Sequence, residues 1–194
     1  ASRYSHEFTF PERKGRNPEQ KLRIAQIASQ YIPEEGCIFV DGGTTTEFLG
    51  EFLRNKPQLM VVTNSITLAS RIGESTTQVF LLSGRVRSTT LSAVGSKTVE
   101  DLRTYKAQIA FLGANGIDLE SGFSTVDPDE AAVKRKMIKN ATETIVLADN
   151  SKFGASYSAL FAGFENIDRL VTDVDADPAH VDALTEKGIE VVLA

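Results

Sequence analysis

One cysteine, two histidines and no tryptophan in 194 residues set the first limits on this chain. A lone Cys37 makes an internal disulfide impossible, so the small stapled folds of oxidising compartments are excluded and a reducing compartment is expected. Cys37 lies in the apolar run 37–40 and reads as core packing. His6 and His180 stand far apart with no second thiol, so no zinc site can be assembled from these ligands, and no Ser–His–acid set is visible. No cofactor is implied. No apolar run approaches the ~18 residues of a membrane span, and no charged-then-apolar leader opens the chain. A cytoplasmic protein with no membrane contact is the expectation. Basic residues are in deficit, 21 against 26 acidic, for a net charge of −5. The exception is the opening: residues 1–23 carry six Lys/Arg against three Glu, a net of +3, which leaves −8 on the remainder. An acidic body makes a poor duplex-DNA surface, because non-specific affinity comes from neutralising phosphates.

What is present is a regular alternation. Hydrophobic residues make up 41% of the chain, enough for one domain with a full core. Ile24, Ile27, Ala28 and Tyr31 recur at helical spacing and end near Pro33. Strand-length apolar runs follow at 37–40, 59–62, 79–82, 109–112, 144–148, 169–171 and 189–193. Helical stretches separate them at 45–53, 66–72, up to 102, 129–141 and 179–187. Near-continuous apolar strands joined through helices imply a doubly wound α/β domain, a mostly parallel sheet covered on both faces. Residues 1–18 are polar and basic, contain Pro11 and Pro18, and read as an arm or interdomain linker; 19–194 form the domain proper. The opening Ala1-Ser2-Arg3 lacks an initiator Met, as a piece of a longer protein would.

In such sheets ligands sit beyond the carboxyl ends of the strands, and the unusual residues cluster there. Asp41, Gly42, Gly43, Thr44, Thr45 and Thr46 stand between a strand and a helix. Glycines that expose backbone amides, hydroxyl donors and a helix start are what a phosphate monoester requires; an N-capping Thr after a Gly-rich turn is the bland alternative. No Lys-Ser/Thr pair follows the glycines, which argues against a nucleoside-triphosphate loop. In 63–65, Asn64 either contacts a ligand or, with Ser65, caps the next helix. In the loop Leu82 to Arg87, Gly84 and Arg87 are candidate contacts, Arg85 a weaker one, and solvated arginines are the alternative. Gly113 and Gly116 flank Ala114-Asn115 in a turn where backbone can come close to a ligand, with Asn115 and Gly116 as candidate contacts, or simply turn tightly. Asp127, Asp129 and Glu130 open a helix, where acids are expected from the dipole alone. Lys152, in a tight turn after a strand, can reach a phosphate as a point charge.

Six motifs in this order, DGGTTT (41–46), TNS (63–65), LSGRVR (82–87), GANGI (113–117), DEAAVKRKM (129–137) and DNSKFG (149–154), resemble the effector domain of the DeoR family of bacterial transcription regulators. The resemblance runs from about Phe10 to the C-terminus. It implies a sensor, normally oligomeric, that binds a phosphorylated sugar or related metabolite and meets DNA only through a winged helix–turn–helix domain, which this chain does not contain. Regulators of this kind are commonly repressors. The fold it implies is similar to ribose-5-phosphate isomerase and glucosamine-6-phosphate deaminase. By that analogy Thr44–Thr46 and Lys152 hold phosphate, while Asn115 and Glu130 face the sugar carbons. Where those isomerases carry aspartates and a Gly-rich Lys segment, this chain has Asn115 and the stretch 124–130 without a lysine. With Glu130 alone, binding without turnover is expected, because proton abstraction beside a carbonyl needs a base and an acid together. A sugar-phosphate isomerase or deaminase is the rival reading, and an acyl-transfer protein of the same fold group a third. Arg85 departs from the family, standing where a second Gly is usual.

Overall fold

The computed structural model describes residues 7–194; the first part of the expected arm, 1–6, lies outside the described residues. Helix α1 (Phe10–Lys14) and helix α2 (Pro18–Ala28) precede strand β1 (Gly36–Val40). A 3-10 turn (Thr46–Leu49) then runs into α3 (Gly50–Leu53), β2 (Leu59–Thr63), α4 (Ile66–Gly73) and β3 (Gln78–Leu81). A hairpin of β4 (Arg85–Arg87) and β5 (Ser92–Val94) leads to α5 (Ser96–Asp101) and β6 (Ala107–Gly113). The chain continues through β7 (Gly116–Asp118), β8 (Gly122–Thr125), α6 (Pro128–Asn140), β9 (Ala141–Leu147) and β10 (Ala159–Ala162) to β11 (Arg169–Thr172), α7 (Pro178–Glu186) and β12 (Glu190–Leu193).

Seven strands form one sheet in the order β12-β11-β9-β6-β1-β2-β3, every neighbouring pair parallel. The expected doubly wound α/β domain is therefore what forms. Alternate side chains of each central strand go to opposite faces, as a two-residue period requires. Cys37, Phe39, Ala110, Leu112 and Val146 enter one core; Ile38, Val40, Ile109, Phe111, Ile145 and Leu147 enter the other. Helices α2 and α4 cover the second face through Ile24, Ala25, Ala28, Leu68 and Ile72, and α6 covers the first through Ala131, Val133 and Met137. With both faces buried, the strands need no polar positions, which is why they read as unbroken apolar runs.

The differences from expectation lie outside the main sheet. The stretch expected as a helix over 45–53 splits into a 3-10 turn and one turn of α-helix. The loops around Gly116 and Ser121–Thr125 are strands: β10, β8 and β7 make a three-stranded antiparallel sheet, and the 82–87 loop continues into the β4–β5 hairpin. In the arm, α1 buries Phe10 against the body.

Candidate functional site

Strand order reverses between β1 and β6: strands that follow β1 up to β3 lie to one side, later ones to the other. At such a reversal the two outgoing chains diverge and leave a crevice at the carboxyl ends of the strands. Asp41, the residue after β1, bridges it by accepting the amide of Gly113 at the end of β6, 3.1 Å to each carboxylate oxygen. Lys134, on α6, closes the same corner: its ammonium pairs with Asp41 and donates to the Gly113 carbonyl at 2.8 Å. Asp41 and Lys134 are both buried, with side chains 2% and 8% exposed. The cleft above them, about 420 Å³, is lined by Arg13, 42–45, 113–115, Glu130, Lys134 and Lys152.

The wall built by residues 42–46 divides between groups that hold the fold and groups left over. Asn64 Oδ1 accepts the Gly42 amide at 2.9 Å and Asn64 Nδ2 donates to Ala93 O at 3.0 Å, so Asn64 pins this loop to β5. Gly42 is glycine because a Cβ there would lie 2.6 Å from Ser92 Cβ. The Thr46 hydroxyl is spent on the carbonyls of Asp41 and Gly43, both at 3.0 Å. Unspent, among the described residues, are the amides of Gly43, Thr44 and Thr45 and the hydroxyls of Thr44 and Thr45, which meet no protein acceptor. Three amides and two hydroxyls on a loop that lines the cleft are thus left as donors.

Cations gather opposite. Lys152 is the last residue of a 3-10 turn (Asn150–Lys152) after β9, held by Asn150 donating twice to Asp173 (2.7 Å each) and by Asp149 accepting Ser151 N at 3.1 Å. Its ammonium has no hydrogen-bond or ion-pair partner among the described residues. Burial holds its pKa below the ordinary lysine value, opposed by Asp149, and Arg13 and Arg16 push it further down. Arg13 enters from α1 with Nε and Nη2 out of solvent and without an acceptor; burial lowers its pKa too, against Glu130 and Glu7. Lys21 lies alongside, donating to Arg13 O, its pKa lowered to about 8 by burial against the pull of Asp149.

Asn115 and Glu130 line the far side. Thr125 Oγ1 donates to Asn115 Oδ1 at 2.7 Å and sits 3.2 Å from Glu130 Oε2. Glu130 is buried, and its Oε1 has no hydrogen bond; its nearest cation is Arg87 Nη1 at 3.5 Å. Arg87 itself is not brought to the cleft. Glu7 takes its guanidinium in a two-pronged ion pair and Asp127 takes Nε at 3.2 Å; the hydrogen bond to Glu7 chiefly raises its pKa above the ordinary arginine value. Gly84 also lies elsewhere, at the start of the β4–β5 hairpin, with φ +140° and Thr98 Oγ1 2.2 Å from where a Cβ would stand. Gly116 is buried in β7, where a Cβ would meet Ala155 O at 2.3 Å. Arg85 is exposed and paired with Asp129. In the 63–65 stretch it is Ser65 that caps α4, accepting Leu68 N at 3.2 Å.

Two cleft residues were missed by sequence reasoning. Lys134 follows Glu130 by four positions, so the two share one helix face; that spacing was a usable signal. Arg13 carried no signal beyond its charge, because a basic, proline-containing opening reads as linker.

The chain matches the DeoR C terminal sensor domain over residues 16–174. It is 35% identical over 178 residues to an uncharacterized HTH-type transcriptional regulator of Bacillus subtilis, FruR, covering 92% of this chain and 70% of that one. The HTH-type transcriptional regulator GlpR of Haloferax volcanii is 32% identical, with 96% and 73% covered, and the glycerol-3-phosphate regulon repressor of Escherichia coli K12 is 28% identical, with 94% and 73% covered. Among solved structures, ribose 5-phosphate isomerase A of Methanocaldococcus jannaschii aligns with a TM-score of 0.50 at 19% identity, over 71% of this chain and 55% of the isomerase. The translation initiation factor eIF-2B of Pyrococcus horikoshii aligns at 0.54 and 16% identity, over 80% and 62%. These two share the fold. The matching model and relatives together place the chain in the DeoR family, as its C-terminal sensor domain.

Proposed function

We propose that the cleft binds a small phosphorylated sugar or polyol, and that its occupancy governs DNA binding by a domain joined ahead of this one in a cytoplasmic homo-oligomeric repressor. The observation that carries this reading is the set of unspent donors. The amides of Gly43 to Thr45, the hydroxyls of Thr44 and Thr45 and the Lys152 ammonium converge on one space with no protein acceptor among the described residues. These donors have no protein acceptor among the described residues, and a phosphate monoester supplies several acceptors at once. Asn115 and Glu130 then face the carbon chain, where Glu130 Oε1, which has no hydrogen bond in the folded chain, accepts one from a ligand hydroxyl. The name of the E. coli relative, a glycerol-3-phosphate regulon repressor, agrees in ligand class.

Lys134 gives the isomerase reading its best support, since it stands one helical turn from Glu130 inside the cleft. Its proton is nonetheless committed to Asp41 and the Gly113 carbonyl, so recognition without turnover is the better fit. Thermal unfolding tests the proposal: sugar phosphates should raise the melting temperature and the matching free sugars should not. A ligand at a hundred times its dissociation constant adds about 2.7 kcal/mol. Equal shifts from sugar and sugar phosphate refute a phosphate site. Product formed from fructose 6-phosphate, ribose 5-phosphate or glucosamine 6-phosphate, above a Glu130→Gln control, makes the protein an enzyme.

A further inference from the structure

We propose that Arg13 reads the anionic end of the ligand, and that the arm segment carrying it is a strap whose docking on the domain is coupled to occupancy of the cleft. The inference rests on the phosphate reading of that cleft and adds its regulation. Helix α1 has five residues, far below the ~12 at which an isolated helix becomes even marginal in water. Its position therefore depends on contacts with the body: buried Phe10, the Lys21 ammonium on the Arg13 carbonyl, and the Glu7–Arg87 ion pair. Against these stands the guanidinium of Arg13. Two of its nitrogens are shut from solvent without an acceptor, and it lines the same cleft as Lys152. Arg16 joins both on an adjoining cleft of about 710 Å³.

Arg13, Arg16 and Lys152 line one cleft, and beyond the effect of burial the two arginines lower the Lys152 pKa further, as like charges do. A dianion placed between Arg13 and Lys152 gives the orphaned nitrogens their acceptor and removes the repulsion. Docking of the arm and binding of the anion then favour each other by the same factor, as linkage requires.

The test uses the whole chain, its Arg13→Ala, Arg13→Lys and Lys152→Ala variants, and four probes: fructose 6-phosphate, ribose 5-phosphate, glucosamine 6-phosphate and inorganic phosphate. Titration calorimetry should show Arg13→Ala weakening the tightest-binding probe by roughly 10- to 100-fold, with Arg13→Lys between it and wild type. Lys14 and Arg16 are exposed, so trypsin reads the arm. The same probe at saturation should slow cleavage after both residues several-fold in wild type and leave the Arg13→Ala rate unchanged. Wild-type affinity in Arg13→Ala overturns the contact, and cleavage indifferent to ligand in wild type overturns the strap; both leave the phosphate reading standing. If no probe binds wild type, the phosphate reading falls and takes this inference with it. Should Arg13→Ala not fold, the lysine variant and wild-type proteolysis decide.

Discussion

Replacing Asp41 by Asn should destabilise the domain by about 4 kcal/mol, and replacing Lys134 in the same protein should recover part of that loss. Asp41 is the sole carboxylate paired with the Lys134 ammonium among the described residues, and neither side chain reaches solvent to any useful extent. Removing one member of a buried pair leaves an uncompensated charge and costs about 3–5 kcal/mol. The Gly113 carbonyl at 2.8 Å remains as an acceptor for Lys134, but no carboxylate pairs with it among the described residues. Asn keeps an acceptor for the Gly113 amide, so that bond contributes little to the difference. Lys134→Met on this background removes the stranded ammonium, and pairs replaced wholly by apolar groups are often near neutral. The double variant should therefore recover about 2 kcal/mol. Urea unfolding at pH 7 reads both. With an m-value of about 2 kcal/mol/M the single variant's midpoint falls by roughly 2 M and the double's by roughly 1 M, with m unchanged. A single variant within 1 kcal/mol of wild type, or a double variant no more stable than the single, refutes the pair as the clamp between β1 and β6.

Two further expectations concern buried titrating groups. The Lys21 pKa falls from 10.5 to about 8 on folding, so the unfolded chain binds more protons between those values and stability should rise with pH across that window. Below pH 8 the burial cost is present in full. From pH 7.5 to 9.5 wild type should gain about 1–2 kcal/mol more than Lys21→Met; equal gains show that Lys21 titrates normally. Burial pushes the Cys37 thiol up to about 11, so a disulfide reagent at pH 8 should label it only after unfolding. Prompt stoichiometric labelling of the native protein would place Cys37 outside the core.

Much of this fold was legible because double-faced burial leaves a plain mark: runs such as 37–40 and 109–112 admit no polar residue, and turns between them are short. The order of those runs gave a parallel sheet and pointed to the carboxyl ends of its strands. Strands β7, β8 and β10 escaped because they are three or four residues long, and the glycines of β7 and β8 are as common in turns as in strands. At Gly116 and Gly122 backbone crosses close over the chain, at Ala155 and Ala162, and leaves no room for a Cβ. The same ambiguity ran through the candidate site. Asn64 and Thr46 turn out to buttress, and Gly42 makes room for Ser92. Nothing in residue type separates a donor spent on the fold from one left free, since that depends on where distant carbonyls fall. Arg87 shows the limit most clearly. Its partners Glu7, Asp127 and Glu130 come from 80, 40 and 43 positions away, and only the folded chain reveals its charge as already neutralised.

The difference between recognition and turnover at this crevice lies in which side chains remain uncommitted. Proton transfer beside a carbonyl needs a base and an acid that are both free to exchange. Asp41 is tied to Gly113 and Lys134, Lys134 to Asp41 and a carbonyl, and Glu130 shares Thr125 with Asn115 and faces Arg87. Among the described residues, the uncommitted groups of the cleft are mostly donors: the amides of Gly43, Thr44 and Thr45, the two hydroxyls, Lys152 and Arg13. Such donors bind an anion without altering it, and one of them rides on a segment too short to hold its own shape. If the cleft takes a phosphate as proposed, free donors gathered around one anion, with one of them lent by the arm, convert occupancy into a change of arm position.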